Sequence, residues 1–232
     1  MRAARRAPAA FAAAACALAG TVAVALAVAG GPAPEPAGYV SEAGAPESAT
    51  VWPYRLGLLA VAAGLVLLGV ALPPALRLAT GLLLASAVAT GVSAGVSCRA
   101  ACPLPPFDRV VLADLVHGGA SIAAVAGPVL AMLVVAATAG VDRPLRRIAV
   151  VAVAVALPLS LVAGLALLLV GRSVLMGSVE RLLLFDLAAW GVATGLALGL
   201  ARAPVAVGQV AGGAGRPHRQ RILGGRWPTS GS

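Results

Sequence analysis

The 232-residue sequence contains no lysine, and all 17 of its basic residues are arginine. Charged residues make up only 11% of it and aromatics 3%, with two histidines and three cysteines. Soluble domains carry about 25% charged residues. The shortage of charge therefore excludes a soluble globular enzyme, and the apolar excess excludes a disordered chain. The net charge of +9 and isoelectric point near 11.3 do not make a nucleic-acid binder, because no basic patch on a folded face can be traced. Only His117 of the two histidines lies in an apolar run, which disfavours a zinc hydrolase of the multi-histidine kind.

What the sequence has instead is apolar length: 60% hydrophobic residues and a mean hydropathy of +0.98. A hydrocarbon core about 30 Å thick needs roughly 20 apolar residues per helix. Six such spans fit, at about 9–30, 55–73, 76–97, 113–139, 147–170 and 181–201. Backbone polar groups in lipid must be satisfied internally, so these runs read as helices. The expected fold class is all-α, a polytopic membrane bundle of six transmembrane helices over residues 1–201. The first run follows Arg2, Arg5 and Arg6 in the manner of a secretory signal, yet it exceeds the roughly 7–15 residues of a signal core. It is read as an uncleaved first helix. Residues 202–232, rich in Gly, Arg and Pro, read as a disordered basic cytoplasmic tail.

Arginine positions orient the bundle. With the N-terminus inside, twelve arginines fall in inner segments; Arg55, Arg99, Arg109, Arg172 and Arg181 are the five outer ones. The positive-inside rule then favours both termini inside. A multi-pass protein of a bacterial cytoplasmic membrane is expected.

Polar residues gather near the outer ends of the helices. Cys98 and Cys102 flank Arg99-Ala100-Ala101 and precede a Pro-rich stretch. In an oxidising compartment they can form a disulfide that pins the loop; free or redox-active thiols are the alternative. Two thiolates alone do not close a zinc site, so no metal is expected, and no cofactor is. Cys16 lies apart in an apolar run.

Asp114, His117 and Ser121 fall within about 60° of one another at ~100° per helical residue. An Asp beside a His can orient it for acid–base work, with Ser121 as nucleophile or partner. The structural alternative makes Asp114 a cap for the helix start and ties His117 to another helix. Glu180, Arg181, Asp186 and Trp190 open the sixth span. Asp186 should face the bundle and pair with a donor, His117 or Arg181 being the obvious ones. Ser86, Thr90, Ser93 and Ser97 form a small-polar stripe on the third span, with Gly91 and Gly95 as a GxxxG pair on the opposite face. Such stripes serve helix packing, and this one can also wall a polar cavity.

Gly91-Val-Ser-Ala-Gly-Val-Ser-Cys98, Cys102-Pro-Leu-Pro-Pro-Phe107 and Asp114-Leu-Val-His117 resemble the prokaryotic membrane family catalogued as domain of unknown function 998. Tyr39-Val-Ser-Glu-Ala-Gly-Ala45, and Glu180-Arg181 followed by Trp190, are also similar to it. The resemblance covers roughly residues 10–200. It implies a six-helix bundle and no particular reaction.

Three functions compete. The first is a non-enzymatic lipid-binding, sensory or scaffold module. The second is a membrane-embedded hydrolase or transferase acting on a lipid at the outer leaflet, with Asp114, His117, Ser121 and Asp186 as catalytic candidates. Ser41, Glu42, Glu180, Arg181 and Trp190 are binding candidates in either case. The third is a small-solute transporter, weakened by the lack of charge at the midplane and of an internal repeat. Membrane lipids are the expected partners, with a further copy of the chain or another membrane protein as a second kind and nucleic acid as none.

Overall fold

The computed structural model describes residues 6–31 and 36–201; the tail expected at 202–232 lies outside the described residues. Six helices follow in order: α1 Arg6–Ala29, α2 Val51–Ala71, α3 Arg77–Gly95, α4 Leu112–Ala137, α5 Arg143–Leu169 and α6 Val174–Leu200. Two short 3-10 turns, Val40–Gly44 and Pro74–Leu76, precede α2 and α3. There is no strand among the described residues. The shortest helix, α3, has 19 residues and the longest 27. At about 1.5 Å per residue, each is long enough to cross the hydrocarbon core. The protein is an all-helical integral membrane bundle with six helices capable of spanning.

The outer surface is apolar on every side: Leu26, Val88, Leu161 and Phe185 are each more than 60% exposed. A soluble monomer does not present apolar surface on that scale, whereas hydrocarbon makes it neutral. With no hydrophobic drive between helices in lipid, close approach of small residues holds the bundle. A Cβ on Gly20 would lie 2.6 Å from the Gly57 carbonyl, and one on Gly57 2.9 Å from the Gly20 carbonyl, so α1 and α2 meet backbone to backbone. Gly195 of α6 sits equally close to Ala10 of α1. Helix α1 is thus wedged between α2 and α6. The Gly91–Gly95 pair does not share this role: a Cβ on either would meet nothing within 4 Å. Helix α3 packs instead through its hydroxyl face, where Ser86, Thr90 and Ser93 are buried.

Several helices begin earlier than hydropathy suggests, among them α1 at Arg6, α2 at Val51, α5 at Arg143 and α6 at Val174. Proline or charge within the first two turns of α2, α5 and α6 reads as loop, yet α6 shows local partners that hold its start. Ser173 caps α6 by accepting the Met176 N–H at 3.2 Å. Arg181 donates to the carbonyls of Gly38 and Gly177 at 2.9 Å.

The core is unevenly filled. Leu68, Leu76, Leu83, Met132, Val135 and Leu145 form a dense cluster with alanines of α5. That cluster occupies the end bearing the α2–α3 and α4–α5 connections. The opposite end, with the α1–α2, α3–α4 and α5–α6 connections, holds the polar residues and two cavities.

Candidate functional site

The polar end is a cap of three connections tied together by buried carboxylates. Glu42, in the 3-10 turn after α1, accepts the Tyr39 N–H at 2.9 Å. It also takes two guanidinium bonds from Arg172, at 2.8 and 3.1 Å. That pair joins residues 130 positions apart. Burial, followed by the carboxylates of Glu180, Glu42 and Asp108, raises the Tyr39 phenol above its ordinary value. Tyr39 therefore stays protonated as part of the cap.

Asp114 is fully buried in the first turn of α4. It accepts the Arg99 backbone N–H at 3.1 Å and the Val111 N–H at 3.0 Å. The Arg99 side chain closes on the same carboxylate at 2.7 and 3.0 Å. Asp114 is the cap of α4 and the anchor of the loop before it. His117, one turn on, is buried, and its Nδ1 lies 2.7 Å from the Val96 carbonyl at the C-terminus of α3. Ser121 shares a hydrogen bond with Ser93 of α3 at 2.9 Å. The three residues do share one face, as their spacing requires, and all line one cavity. Each, however, is bonded to a different neighbour. No carboxylate hydrogen-bonds His117 among the described residues, so the Asp–His relay of a hydrolase is not assembled.

Asp186 departs from expectation too. Its Oδ2 is buried without a hydrogen-bond partner among the described residues, and it lines neither cavity. Of the expected donors, His117 is turned to the Val96 carbonyl, and Arg181 donates to the carbonyls of Gly38 and Gly177. Trp190 is buried in the wall of the central cavity.

The central cavity, about 210 Å³, lies among α1, α2, α3, α4 and α6. Its wall on α6 runs from Glu180 to Gly191, about 16 Å at ~1.5 Å per residue. The second, about 280 Å³, lies among α4, α5 and α6 beneath the cysteine loop. Leu183 and Val125 border both, as do Ser41, Ser121 and Glu180. Where the two adjoin, Glu180 lines both and accepts the Val40 N–H at 3.1 Å. The rest of both walls is predominantly aliphatic. Such a space can hold a hydrocarbon chain with a small polar head at the junction.

Cys98 and Cys102 lie at disulfide-bonding distance, with Cα atoms 5.0 Å apart. Ala101 and Cys102 adopt left-handed backbone, with φ of 64° and 43°. Ser41 Oγ donates to Cys102 Sγ at 3.3 Å. Cys98, Cys102 and His117 bring one donor atom each within 4.8 Å of one another. The sequence separates this histidine from the cysteines by a Pro-rich loop and a helix start, and no spacing rule links them. Met176, in the same buried cluster as the cysteines, likewise carries no signal in the sequence.

Comparison with family models, curated proteins and solved structures finds no match to this chain.

Proposed function

We propose that this protein is a non-enzymatic lipid-binding module of a bacterial cytoplasmic membrane. The cavities face the outer leaflet, and both termini are inside. The observation that carries this reading is the pair of adjoining apolar cavities. Either alone is below the roughly 300–1,000 Å³ usual for ligand sites; joined, they fall within it. Their shared border of Ser41, Ser121 and Glu180 offers hydroxyls and a carboxylate to a polar head that donates hydrogen bonds. The acyl chain would run between α1 and α6 toward Trp190. The segments that resemble domain of unknown function 998 cluster at this same end, which makes the cap the part such relatives would hold in common.

The test is photo-crosslinking of the full chain in vesicles doped with a phospholipid bearing a diazirine on its acyl chain. Labelling should concentrate on cavity-lining peptides of α1, α4 and α6, and Val125→Phe should suppress it there. Labelling confined to outward residues such as Leu26, Val88 and Phe185, unchanged by Val125→Phe, would contradict the reading.

A further inference from the structure

We propose that Cys98, Cys102 and His117, with the cysteines as dithiol, form a binding site for a soft, thiophilic cation, with Cu(I) the best-matched chemistry. This site is independent of lipid binding in the cavities. Three donors of suitable type converge: two sulfurs and a ring nitrogen, all within 4.8 Å of one another. All three residues are at most 5% exposed, so an ion held there is shielded from competing ligands.

The histidine is set up for ligation. A carbonyl oxygen only accepts, so the 2.7 Å contact with Val96 requires the proton on Nδ1. In the neutral ring Nε2 then carries a lone pair, and Nε2 is buried with no hydrogen-bond partner among the described residues. Metal-binding histidines are held this way, donating their other ring N–H to a backbone carbonyl. Ser41 supplies the matching outer contact on the sulfur side, donating to Cys102 Sγ at 3.3 Å.

The choice of cation follows from the donor set. Two thiolates and one imidazole make three ligands, whereas zinc sites close with four. Met176 belongs to the same buried cluster as the cysteines, and a thioether favours Cu(I) over harder cations. The disulfide is the closed state. A thiol reductant opens it: two RSH become RS–SR, two electrons enter the Cys98–Cys102 bond, and each sulfur takes one proton. Cu(I) then displaces both protons, giving a bis-thiolate, mono-imidazole complex of charge −1.

The experiment uses the full chain in detergent, reduced with a small thiol, desalted without oxygen and titrated with Cu(I) against a chromophoric Cu(I) chelator. We expect one Cu(I) per dithiol chain and none on the disulfide chain. X-ray absorption should show at least two sulfurs and one nitrogen around copper. The Cys98→Ser/Cys102→Ser variant should lose the site. Removing His117 should cost at least about 100-fold in affinity, since outer-sphere changes alone cost about 10–100-fold. Zn(II) should bind more weakly than Cu(I). Equal Cu(I) uptake by the Cys98→Ser/Cys102→Ser variant would overturn the proposal. So would copper scattering without nitrogen in the unaltered protein, a result that does not depend on any variant folding. Zn(II) binding as tight as Cu(I) would overturn the assignment to a soft cation.

Discussion

Ser86 of α3 donates to the carbonyl of Ala124 in α4 at 2.6 Å, and Ala124 lies four residues before Pro128. Proline has no N–H, so its presence inside α4 removes the helical partner of that carbonyl. In hydrocarbon the lost bond must be replaced from within the protein. Ser86 replaces it, at the point where a Cβ on Gly127 would lie 2.6 Å from Ser86 Cβ. Ser86→Ala should therefore destabilise the bundle by about 1–2 kcal/mol. In a Pro128→Ala background, where the helix can supply its own N–H, the same change should cost clearly less. Thermal unfolding of the four proteins in one detergent measures this coupling.

The Arg99–Asp114 pair makes an asymmetric prediction. Asp114 is fully buried while the Arg99 side chain is half-exposed. Arg99→Ala leaves a buried carboxylate with only two backbone donors, and should cost about 3 kcal/mol, the lower end for breaking a buried pair. Asp114→Asn keeps one acceptor oxygen, enough for only one of the Val111 and Arg99 N–H groups that bond the two carboxylate oxygens, and leaves an arginine that water can solvate. It should cost less, about 1–2 kcal/mol. Melting temperatures at fixed pH rank the two variants; the opposite order would show that Arg99 is not the counterion that matters.

Glycines separate by helix face. Gly20→Val or Gly57→Val would force side chains into the facing backbone of the α1–α2 contact and should prevent stable assembly. Gly91→Ala and Gly95→Ala meet open space and should be neutral or stabilising by up to about 1 kcal/mol through helix propensity. Yield and monodispersity in size-exclusion chromatography discriminate the two sets.

The proposed orientation is checked with single cysteines in a Cys-free background. Glu47→Cys and Asp108→Cys, at the polar end, should react with an impermeant maleimide on intact cells. Asp142→Cys should react only after lysis. Reversed labelling would place the cap in the cytoplasm.

Six spans were legible because 18 to 20 apolar residues in a row have few folded alternatives. The helix starts were not: Trp52-Pro53-Tyr54-Arg55 and Val174–Arg181 look like loop by hydropathy, and only tertiary partners such as the Gly38 carbonyl make them helix. The shared face of Asp114, His117 and Ser121 followed from spacing alone. Their partners did not, because Arg99 and Val96 belong to a loop whose path depends on the cysteines and on Asp114 itself. Asp186 misled for the same reason: its position implied a donor, but His117 bonds the Val96 carbonyl and Arg181 that of Gly38. Glu42 and Arg172 lie 130 residues apart, beyond any pattern in a single sequence.

The central claim is that the cavities beside Glu180 hold a lipid. Native mass spectrometry of the full chain, released from mild detergent after extraction from its membrane, tests it most directly. The protein should retain one lipid-sized adduct per chain, and Val125→Phe, folded to the same extent, should lose it. An unaltered chain that arrives bare, or an adduct that Val125→Phe leaves in place, would contradict the account.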